Sequence, residues 1–285
     1  MKTILVPTDF SPIANTALNY AIHVAGKLKS KIYLLHSYQV PAPIGEVPFA
    51  VLNDERRMLK EESEKNLLEA SVKVGNAGIA YEYISVEGDA VDSILQAVKE
   101  KKAEMIIMGA KGETNLLDAI FGSVCLKVME KASCPVMAIP NDTVITKPVK
   151  HITFATDYHQ SDFAAIDRAV EIAGLSQAEL NILHISDAEI GADEEKIMMR
   201  NFMEKVKKRS NYTKLSFQVI HGYKVEERLQ QYVEDENTDM LMLSTHYRGF
   251  FDRIFGTSIT KDIARNTNIP VLAFHHNANA AVKLI

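Results

Sequence analysis

The sequence repeats itself, and this repeat limits how the chain can fold more than any other feature. Residues 4–10, Ile-Leu-Val-Pro-Thr-Asp-Phe, return as residues 152–158, Ile-Thr-Phe-Ala-Thr-Asp-Tyr, at an offset of 148 residues. Residues 134–136, Cys-Pro-Val, match residues 269–271, Ile-Pro-Val, at a shorter offset of 135. A unit of about 140 residues is the size of one globular domain, so we expect two domains of the same fold.

The two offsets also predict where the domains begin and end. We place the first domain at residues 1–141 and the second at residues 149–276, with a short linker between them and a tail over residues 277–285. The second copy is shorter by about thirteen residues. Loss of a segment equivalent to residues 39–50 accounts for most of that difference.

Composition excludes several classes of protein. A hydrophobic fraction of 47% and a charged fraction of 24% are typical of a globular chain and not of a disordered one. With 32 basic and 37 acidic residues, the net charge of −5 argues against binding to nucleic acid or to an anionic membrane. The N-terminus enters a strand instead of a signal peptide, so we expect a cytoplasmic protein. Cys125 and Cys134 are expected as reduced, packed thiols.

Apolar, strand-like runs alternate with amphipathic stretches in both copies. Continuous apolar runs are typical of parallel strands buried on both faces, and the alternation predicts right-handed crossovers. Ser11 followed by Pro12 is a helix-start signal, a cap residue before a proline. The expected fold is therefore α/β, with two tandem doubly wound, Rossmann-like domains and helices on both faces of each sheet. The predicted strands are 3–7, 32–36, 80–86, 105–108 and 136–139, then 152–155, 179–184, 214–220, 240–244 and 271–274. The predicted helices begin with one from Ser11 and continue with 54–74, 91–98, 164–173, 194–206, 225–233 and 257–264.

A glycine-containing loop follows the fourth predicted strand. Gly109 and Gly112 are followed, after nine residues, by Gly122 and Ser123. Glycines let backbone N–H groups surround an anion, and the helix that opens here favours phosphate at its N-terminus. We expect Ser123 to cap this helix, and Asp9 to lie beside the loop if the first and fourth strands are neighbours. The pattern predicts a nucleotide site, while glycines that only form turns remain the alternative.

These motifs resemble those of the universal stress protein family, and the resemblance covers nearly the whole chain as a tandem pair. The motifs are Pro7-Thr8-Asp9-Phe10-Ser11, Leu34-Leu35-His36, Gly109-x-x-Gly112-x9-Gly122-Ser123 and Cys134-Pro135-Val136. The resemblance implies a five-stranded parallel sheet of order 3-2-1-4-5 in each domain. It also implies a stress-response regulatory module that binds ATP, with or without Mg²⁺.

The resemblance further implies roles for individual residues of the first copy. Asp9 is expected at the ribose, with Thr8 and Ser37 near the adenine. Lys111 adds a positive charge beside the phosphates, although Glu113 opposes it. The full expected nucleotide site is Pro7, Thr8, Asp9, Ser37, Met108, Gly109, Lys111, Gly112, Gly122, Ser123 and Val124.

The second copy departs from this pattern. Asp157, Gly256 and Thr257 remain as candidate binding residues. Ser244 and Tyr247 stand where the first copy has glycines, and their side chains are expected to crowd a phosphate path. A weaker or different ligand in this copy stays open.

The residues do not predict an enzyme. Ser123 and Val124 follow Gly122 where a phosphate-binding Walker loop needs a lysine and then a hydroxyl residue, and Asp9 lacks the acidic neighbour of a phospho-receiver. His36 and His184 end apolar strands and are expected as structural histidines. We assign no catalytic residue and no metal site. The alternatives left open are a scaffold or chaperone-like protein that acts by association, and a slow ATPase.

The last strands of the two copies are short apolar edges, residues 136–139 and 271–274, that benefit from mutual cover. By the resemblance we expect the two domains to pair there as an internal pseudo-dimer, and a homodimer of whole chains and an unidentified protein partner remain open. Separately expressed halves should therefore associate when mixed, as measured by sedimentation against each half alone. Two stable monomers that stay apart would contradict this prediction.

Overall fold

A computed structural model describes residues 2–41, 48–111, 122–186, 192–222, 224–245 and 269–275. These residues form two compact units, which divide between residues 141 and 142. Each unit contains a parallel β-sheet with helices in the connections between its strands. The expected fold class, two tandem doubly wound α/β domains, is confirmed.

The first unit has a five-stranded parallel sheet of order β3-β2-β1-β4-β5, as expected. Its strands are β1 (Thr3–Pro7), β2 (Lys31–Tyr38), β3 (Tyr81–Glu87), β4 (Met105–Gly109) and β5 (Val136–Ile139). Its helices are α1 (Pro12–Leu28), α2 (Phe49–Asn76), α3 (Ala90–Lys101) and α4 (Ser123–Lys131).

The second unit repeats this arrangement, and its sheet has the order β10-β9-β6-β7-β8. Its strands are β6 (His151–Ala155), β7 (Glu179–Ser186), β8 (Leu215–His221), β9 (Met240–Ser244) and β10 (Val271–Phe274). Its helices within the described residues are α5 (Asp162–Ser176), α6 (Ala192–Arg209) and α7 (Val225–Asp235). The helix expected over residues 257–264 lies outside the described residues.

Local sequence explains where the first helix starts and stops. The hydroxyl oxygen of Ser11 accepts a hydrogen bond from the N–H of Ala14 at 3.2 Å, and Pro12 is the first helical residue. This confirms the cap predicted from the sequence. At the other end, Lys29 adopts a left-handed conformation with φ 50°, which ends the helix. The side chains of α1 that face the sheet are mostly small and apolar, and Ala17 and Ala21 are among those that are buried.

The direction of the chain reverses between two neighbouring strands of the first sheet. The chain moves from β1 to β2 to β3 in one direction, then crosses back to β4 and β5 on the other side of β1. Right-handed crossovers therefore place α1 and α2 on one face and α3 and α4 on the other. Ligands of doubly wound sheets bind beyond the carboxyl ends of the strands at this reversal, here β1 and β4.

One buried carboxylate, that of Asp239, binds the backbone at the start of the second unit. Asp239, whose side chain is 6% exposed, accepts hydrogen bonds from the backbone N–H groups of Lys150 at 2.8 Å and His151 at 3.0 Å. It also pairs with the ammonium group of Lys147 at 2.7 Å. Burial alone raises the pKa of Asp239, but these hydrogen bonds and the Lys147 charge outweigh it, so the pKa lies below its usual value.

Within the part of the chain that the structure describes, every helix is too short or too polar to cross a membrane.

Replacing Asp239 by Asn should lower the free energy of unfolding by about 1–3 kcal/mol, because two backbone N–H groups lose a charged acceptor. Urea unfolding followed by circular dichroism measures this. The control Lys147→Ala removes only a partner that is 61% exposed and should cost less than about 1 kcal/mol. Because the folded-state pKa of Asp239 is depressed, its contribution is present above the unfolded-state pKa and is lost as the pH falls through the folded-state pKa. Equal losses in the two variants would contradict this assignment.

Candidate functional site

A pocket of about 350 Å³ opens in the first unit at the carboxyl ends of β1, β2 and β4. The N-terminus of α4 and the first turns of α1 and α3 complete its wall. It brings together ten of the eleven residues that the sequence predicts for the nucleotide site. These are Pro7, Thr8, Asp9, Ser37, Met108, Gly109, Lys111, Gly122, Ser123 and Val124. The eleventh, Gly112, lies outside the described residues.

The turn after β1 holds Thr8 and Asp9 at the pocket. The N–H of Thr8 donates to the carbonyl oxygen of Leu35 at 2.8 Å, which extends the strand pairing by one residue. Phe10 then takes a left-handed conformation with φ 62°, and its N–H donates to the Thr8 hydroxyl oxygen at 3.0 Å. The carboxylate of Asp9 accepts the N–H of Ser11 at 3.1 Å. These short-range hydrogen bonds position both side chains at the carboxyl end of β1.

The end of β4 requires a glycine because it lies directly against the start of α1. A Cβ atom placed on Gly109 would lie 2.8 Å from Cγ2 of Ile13 and 3.3 Å from the backbone nitrogen of Ala14. Real Cβ atoms do not approach other heavy atoms as closely as 2.8 Å. Any larger residue at position 109 must therefore displace the first turn of α1 or the strand end.

The helix that faces the pocket begins differently from the expectation. The cap residue of α4 is Gly122, with φ −67° and ψ 155°, and it makes no side-chain cap. The prediction that Ser123 caps this helix is wrong, because the extended backbone of Gly122 makes Ser123 the first helical residue. The N–H of Gly122 donates to the carbonyl oxygen of Ala110 at 2.8 Å. The following N–H groups precede the first intrahelical bond, so this end of the helix suits an anion.

His36 lies at the pocket, although the sequence analysis did not place it there. We expected a structural histidine, and its Nδ1 does lie 2.6 Å from the hydroxyl oxygen of Ser63, which in turn accepts from Ser85 at 2.6 Å. Yet the ring of His36 also lines the pocket. Burial lowers its pKa, while the charges of Asp9 and Glu62 act in the opposite direction. One signal in the sequence could have indicated this position: His36 directly precedes Ser37, which was predicted to lie at the site.

The second unit carries a buried acid at the position equivalent to the pocket. Asp162, the first residue of α5, is 1% exposed and accepts a hydrogen bond from the Thr156 hydroxyl group at 2.6 Å. It also hydrogen-bonds to the hydroxyl group of Ser244. Burial raises the pKa of Asp162 to about 7; the hydrogen bonds from Thr156 and Ser244 lower it and the nearby charge of Asp157 raises it. The sequence did not predict this cluster.

The other candidates of the second unit are only partly described. Asp157 follows β6, and its carboxylate accepts the N–H of His159 at 3.2 Å. Gly256 and Thr257 lie outside the described residues. His184 stacks on Tyr158 with ring centroids 4.0 Å apart, and its Nδ1 lies 2.8 Å from the carbonyl oxygen of Thr156, a structural role as expected. Among the described residues, no group of three or more His, Cys, Asp or Glu side chains has the geometry of a metal site.

Comparison with protein families matches both halves of the chain. Residues 1–140 and residues 148–275 each match the model of the universal stress protein family. Universal stress protein MJ0531 of Methanocaldococcus jannaschii is 29% identical over 152 residues, which cover 52% of this chain and 84% of that protein. Universal stress protein Slr1230 of Synechocystis sp. is 24% identical over 294 residues, covering 96% of this chain and 100% of that protein.

Solved structures show the same fold. The crystal structure of a universal stress protein from Archaeoglobus fulgidus superposes with a TM-score of 0.73 at 21% identity. The match covers 96% of both chains. The similarity therefore extends over both units and not over one alone.

Replacing Asp162 by Asn should change how the stability of the second unit depends on pH. The folded-state pKa lies above the ordinary aspartate value of 3.8, so the folded state holds this proton more tightly than the unfolded state. The resulting stabilisation is complete below about pH 4 and is lost as the pH rises through about 7. The Asn variant should remove this loss and be more stable at pH 8, by an amount on the order of a few kcal/mol.

Urea unfolding at several pH values, with hydrogen exchange on α5 peptides to report on the second unit, measures this effect. Asp193→Asn is the control, because the side chain of Asp193 is 98% exposed. If the free energy of unfolding depends on pH in the same way in the wild type and in the Asp162→Asn variant, Asp162 does not titrate in this range.

Proposed function

The chain belongs to the universal stress protein family, and we propose that its first unit binds an adenine nucleotide, with ATP as the expected ligand. Binding of this nucleotide makes the protein a regulatory module of the stress response. One observation carries the proposal. A single pocket of about 350 Å³ unites a strand-end carboxylate, strand-end hydroxyl groups, a tightly packed glycine, a lysine and an uncapped helix N-terminus.

The phosphate end of the proposed site is formed by β4 and α4. Gly109 brings the backbone of β4 close to α1, and Lys111 lines the pocket just beyond it. Beside this strand end, to which it is joined by the hydrogen bond from Gly122 to Ala110, the N-terminus of α4 presents backbone N–H groups and the positive end of the helix dipole. Fixed donors and a positive charge on the same pocket wall favour a polyphosphate. Mg²⁺ would be bound mainly through the phosphates themselves.

The nucleoside end of the proposed site is formed by β1 and β2. The carboxylate of Asp9 is an acceptor suited to the hydroxyl groups of a ribose. The end of the neighbouring strand, β2, carries Leu35, His36 and Ser37. Together they form a wall with apolar and polar parts, which suits a planar base. On the opposite side, Ala90 and Ile94 of α3 contribute an apolar surface. The pocket thus combines apolar walls with a few polar groups at the ends, as small-molecule sites do.

Regulation depends on which structural elements of the first unit the ligand contacts. Residues 109–111 and the start of α4 belong to different elements, and a bound polyphosphate links them through hydrogen bonds. A ligand that favours one arrangement of these elements shifts their population in proportion to its differential affinity. We propose that a protein partner recognises this change.

Replacing Gly122 by Asp should abolish or strongly weaken ATP binding. The new carboxylate stands at the cap of α4, where its charge opposes the phosphates, and at least a tenfold weaker affinity, about 1.4 kcal/mol, is expected. Equilibrium titration with fluorescently labelled ATP, with and without Mg²⁺, measures the dissociation constant. Gly174→Asp is the matched control, since a Cβ atom at Gly174 meets no atom within 4 Å and the site is in the second unit.

The outcomes separate the candidate functions. No saturable binding by the wild type would exclude the nucleotide module and leave association with other proteins as the activity. Equal binding by the wild type and the Gly122→Asp variant would place the ligand elsewhere. A single-turnover assay on the same preparation then tests hydrolysis. Prompt release of phosphate would make the protein an ATPase, while retention of intact ATP supports a binding module.

A further inference from the structure

We infer that Asp162 is the residue that determines specificity in the second unit, because its carboxyl group occupies the position that in the first unit is open to a ligand phosphate. The second unit is thus a site closed by its own side chain. The inference rests on the proposed function for the identity of the excluded ligand, a nucleotide. Its structural basis is a comparison of the two units, each taken by itself.

The two copies can be aligned residue by residue through α1 and α5. In each copy, two non-glycine residues with a positive φ lie at equivalent positions, and they give the offset of 148 residues. Phe10 and Tyr158 have φ 62° and 63°, and Lys29 and Gln177 have φ 50° and 58°. This alignment makes Ala14 equivalent to Asp162. Five buried positions of the two helices correspond: Ala14, Ala17, Leu18, Ala21 and Ala25 in α1 match Asp162, Ala165, Ile166, Ala169 and Ala173 in α5.

The fourth strands can be aligned in the same way. Gly109 ends β4 and pairs with Ile139, while Ser244 ends β9 and pairs with Phe274. The next residue in each copy repeats the same hydrogen bond, from its N–H to the carbonyl oxygen of that partner, at 2.9 Å. Gly109 and Ser244 are therefore equivalent. The close contact between Gly109 and Ala14 in the first unit is replaced by a hydrogen bond between Ser244 and Asp162 in the second.

The threonine after the first strand shows what the carboxyl group replaces. The Thr8 hydroxyl oxygen accepts from the N–H of Phe10 at 3.0 Å, and the Thr156 hydroxyl oxygen accepts from Tyr158 in the same way at 2.9 Å. In the second unit the hydroxyl proton of Thr156 goes to Asp162 at 2.6 Å. In the first unit, as far as the structure describes the chain, Ala14 offers no such acceptor, and Thr8 faces the pocket. An oxygen atom of a bound ligand fits the role that Asp162 fills in the other copy.

Two effects then keep a phosphate out of the second unit. The side chain is 1% exposed, so its volume and that of Ser244 fill the space beside the strand ends. When ionised, it also opposes a second anion in a setting of low dielectric constant, where like charges a few ångströms apart repel strongly. Among the described residues at this position, the hydroxyl groups of Thr156 and Ser244, which could bind a phosphate oxygen, already hydrogen-bond to Asp162.

The experiment reverses the two substitutions to the residues of the first copy. The starting protein is the full chain with Gly122→Asp, in which the first unit is closed, and the probe is fluorescently labelled ATP. Adding Asp162→Ala and Ser244→Gly should restore one saturable site per chain, with affinity at least about tenfold weaker than that of the wild-type site. The matched control Gly122→Asp with Asp162→Asn keeps the volume and the hydrogen-bonding group, and should remain without binding.

Three results would overturn the inference. The wild type binding two ATP molecules per chain would show that Asp162 does not exclude the nucleotide. An ATP site in the Gly122→Asp chain that protects peptides of α5 from hydrogen exchange would show the same. The third is a triple variant that is folded, by circular dichroism and thermal unfolding, and still binds no ATP. If the wild type binds no ATP at all, the proposed function fails, but the chain with Asp162→Ala and Ser244→Gly alone still tests whether the second unit opens.

A second measurement covers the case in which the triple variant does not fold. Hydrogen exchange of the wild-type chain at saturating ATP should protect peptides of β4 and α4 and leave α5 unchanged. Protection of α5 by ATP would overturn the inference without any variant of the second unit.

Discussion

The close approach of β4 to α1 is the contact on which the first-unit pocket depends. Gly109 allows the end of the strand to lie against Ile13 and Ala14, where a Cβ atom would collide at 2.8 Å. This contact keeps the first turn of α1 beside the strand ends, and neither Gly109 nor Ala14 has a side chain longer than a methyl group at that point. The reversal of chain direction between β1 and β4 would open a crevice in any case, but the depth of that crevice depends on the small residues Gly109 and Ala14.

The second unit shows that the same scaffold tolerates the opposite solution. Its helix and strands keep the register of the first unit, including the left-handed turns at Tyr158 and Gln177. What changes is the chemistry at two equivalent positions, where Ala14 and Gly109 become Asp162 and Ser244. A buried carboxyl group without partners would cost several kcal/mol, yet Thr156 and Ser244 supply hydrogen bonds that offset much of this cost. The two units therefore place different polar groups at equivalent positions of one backbone.

Much of this architecture could be predicted from the sequence, because it follows from local patterns. Continuous apolar runs predicted the buried strands, and Ser11 with Pro12 predicted the start of α1. The glycine spacing and Asp9 predicted residues that the fold does bring to one pocket. Asp162 escaped prediction because the expected helix began at residue 164, and an acid close to a helix start is ordinary at the sequence level, where it complements the dipole. Only the packing of α5 onto the sheet shows that this acid is buried. The start of α4 at Ser123 depended on one backbone conformation at Gly122, which no residue pattern specifies.

The asymmetry between the copies has a thermodynamic consequence for the chain. A ligand that binds only the folded state stabilises it by an amount that grows with ligand concentration, about 2.7 kcal/mol at one hundred times the dissociation constant. Under the proposed function, such a ligand binds beside Thr8 and Gly109, and the stability of the first unit then depends on nucleotide concentration. The second unit supplies its own acceptor in Asp162, and its stability depends instead on pH, through the raised pKa of that carboxyl group. On this proposal, two units of one fold have stabilities that depend on different solution variables.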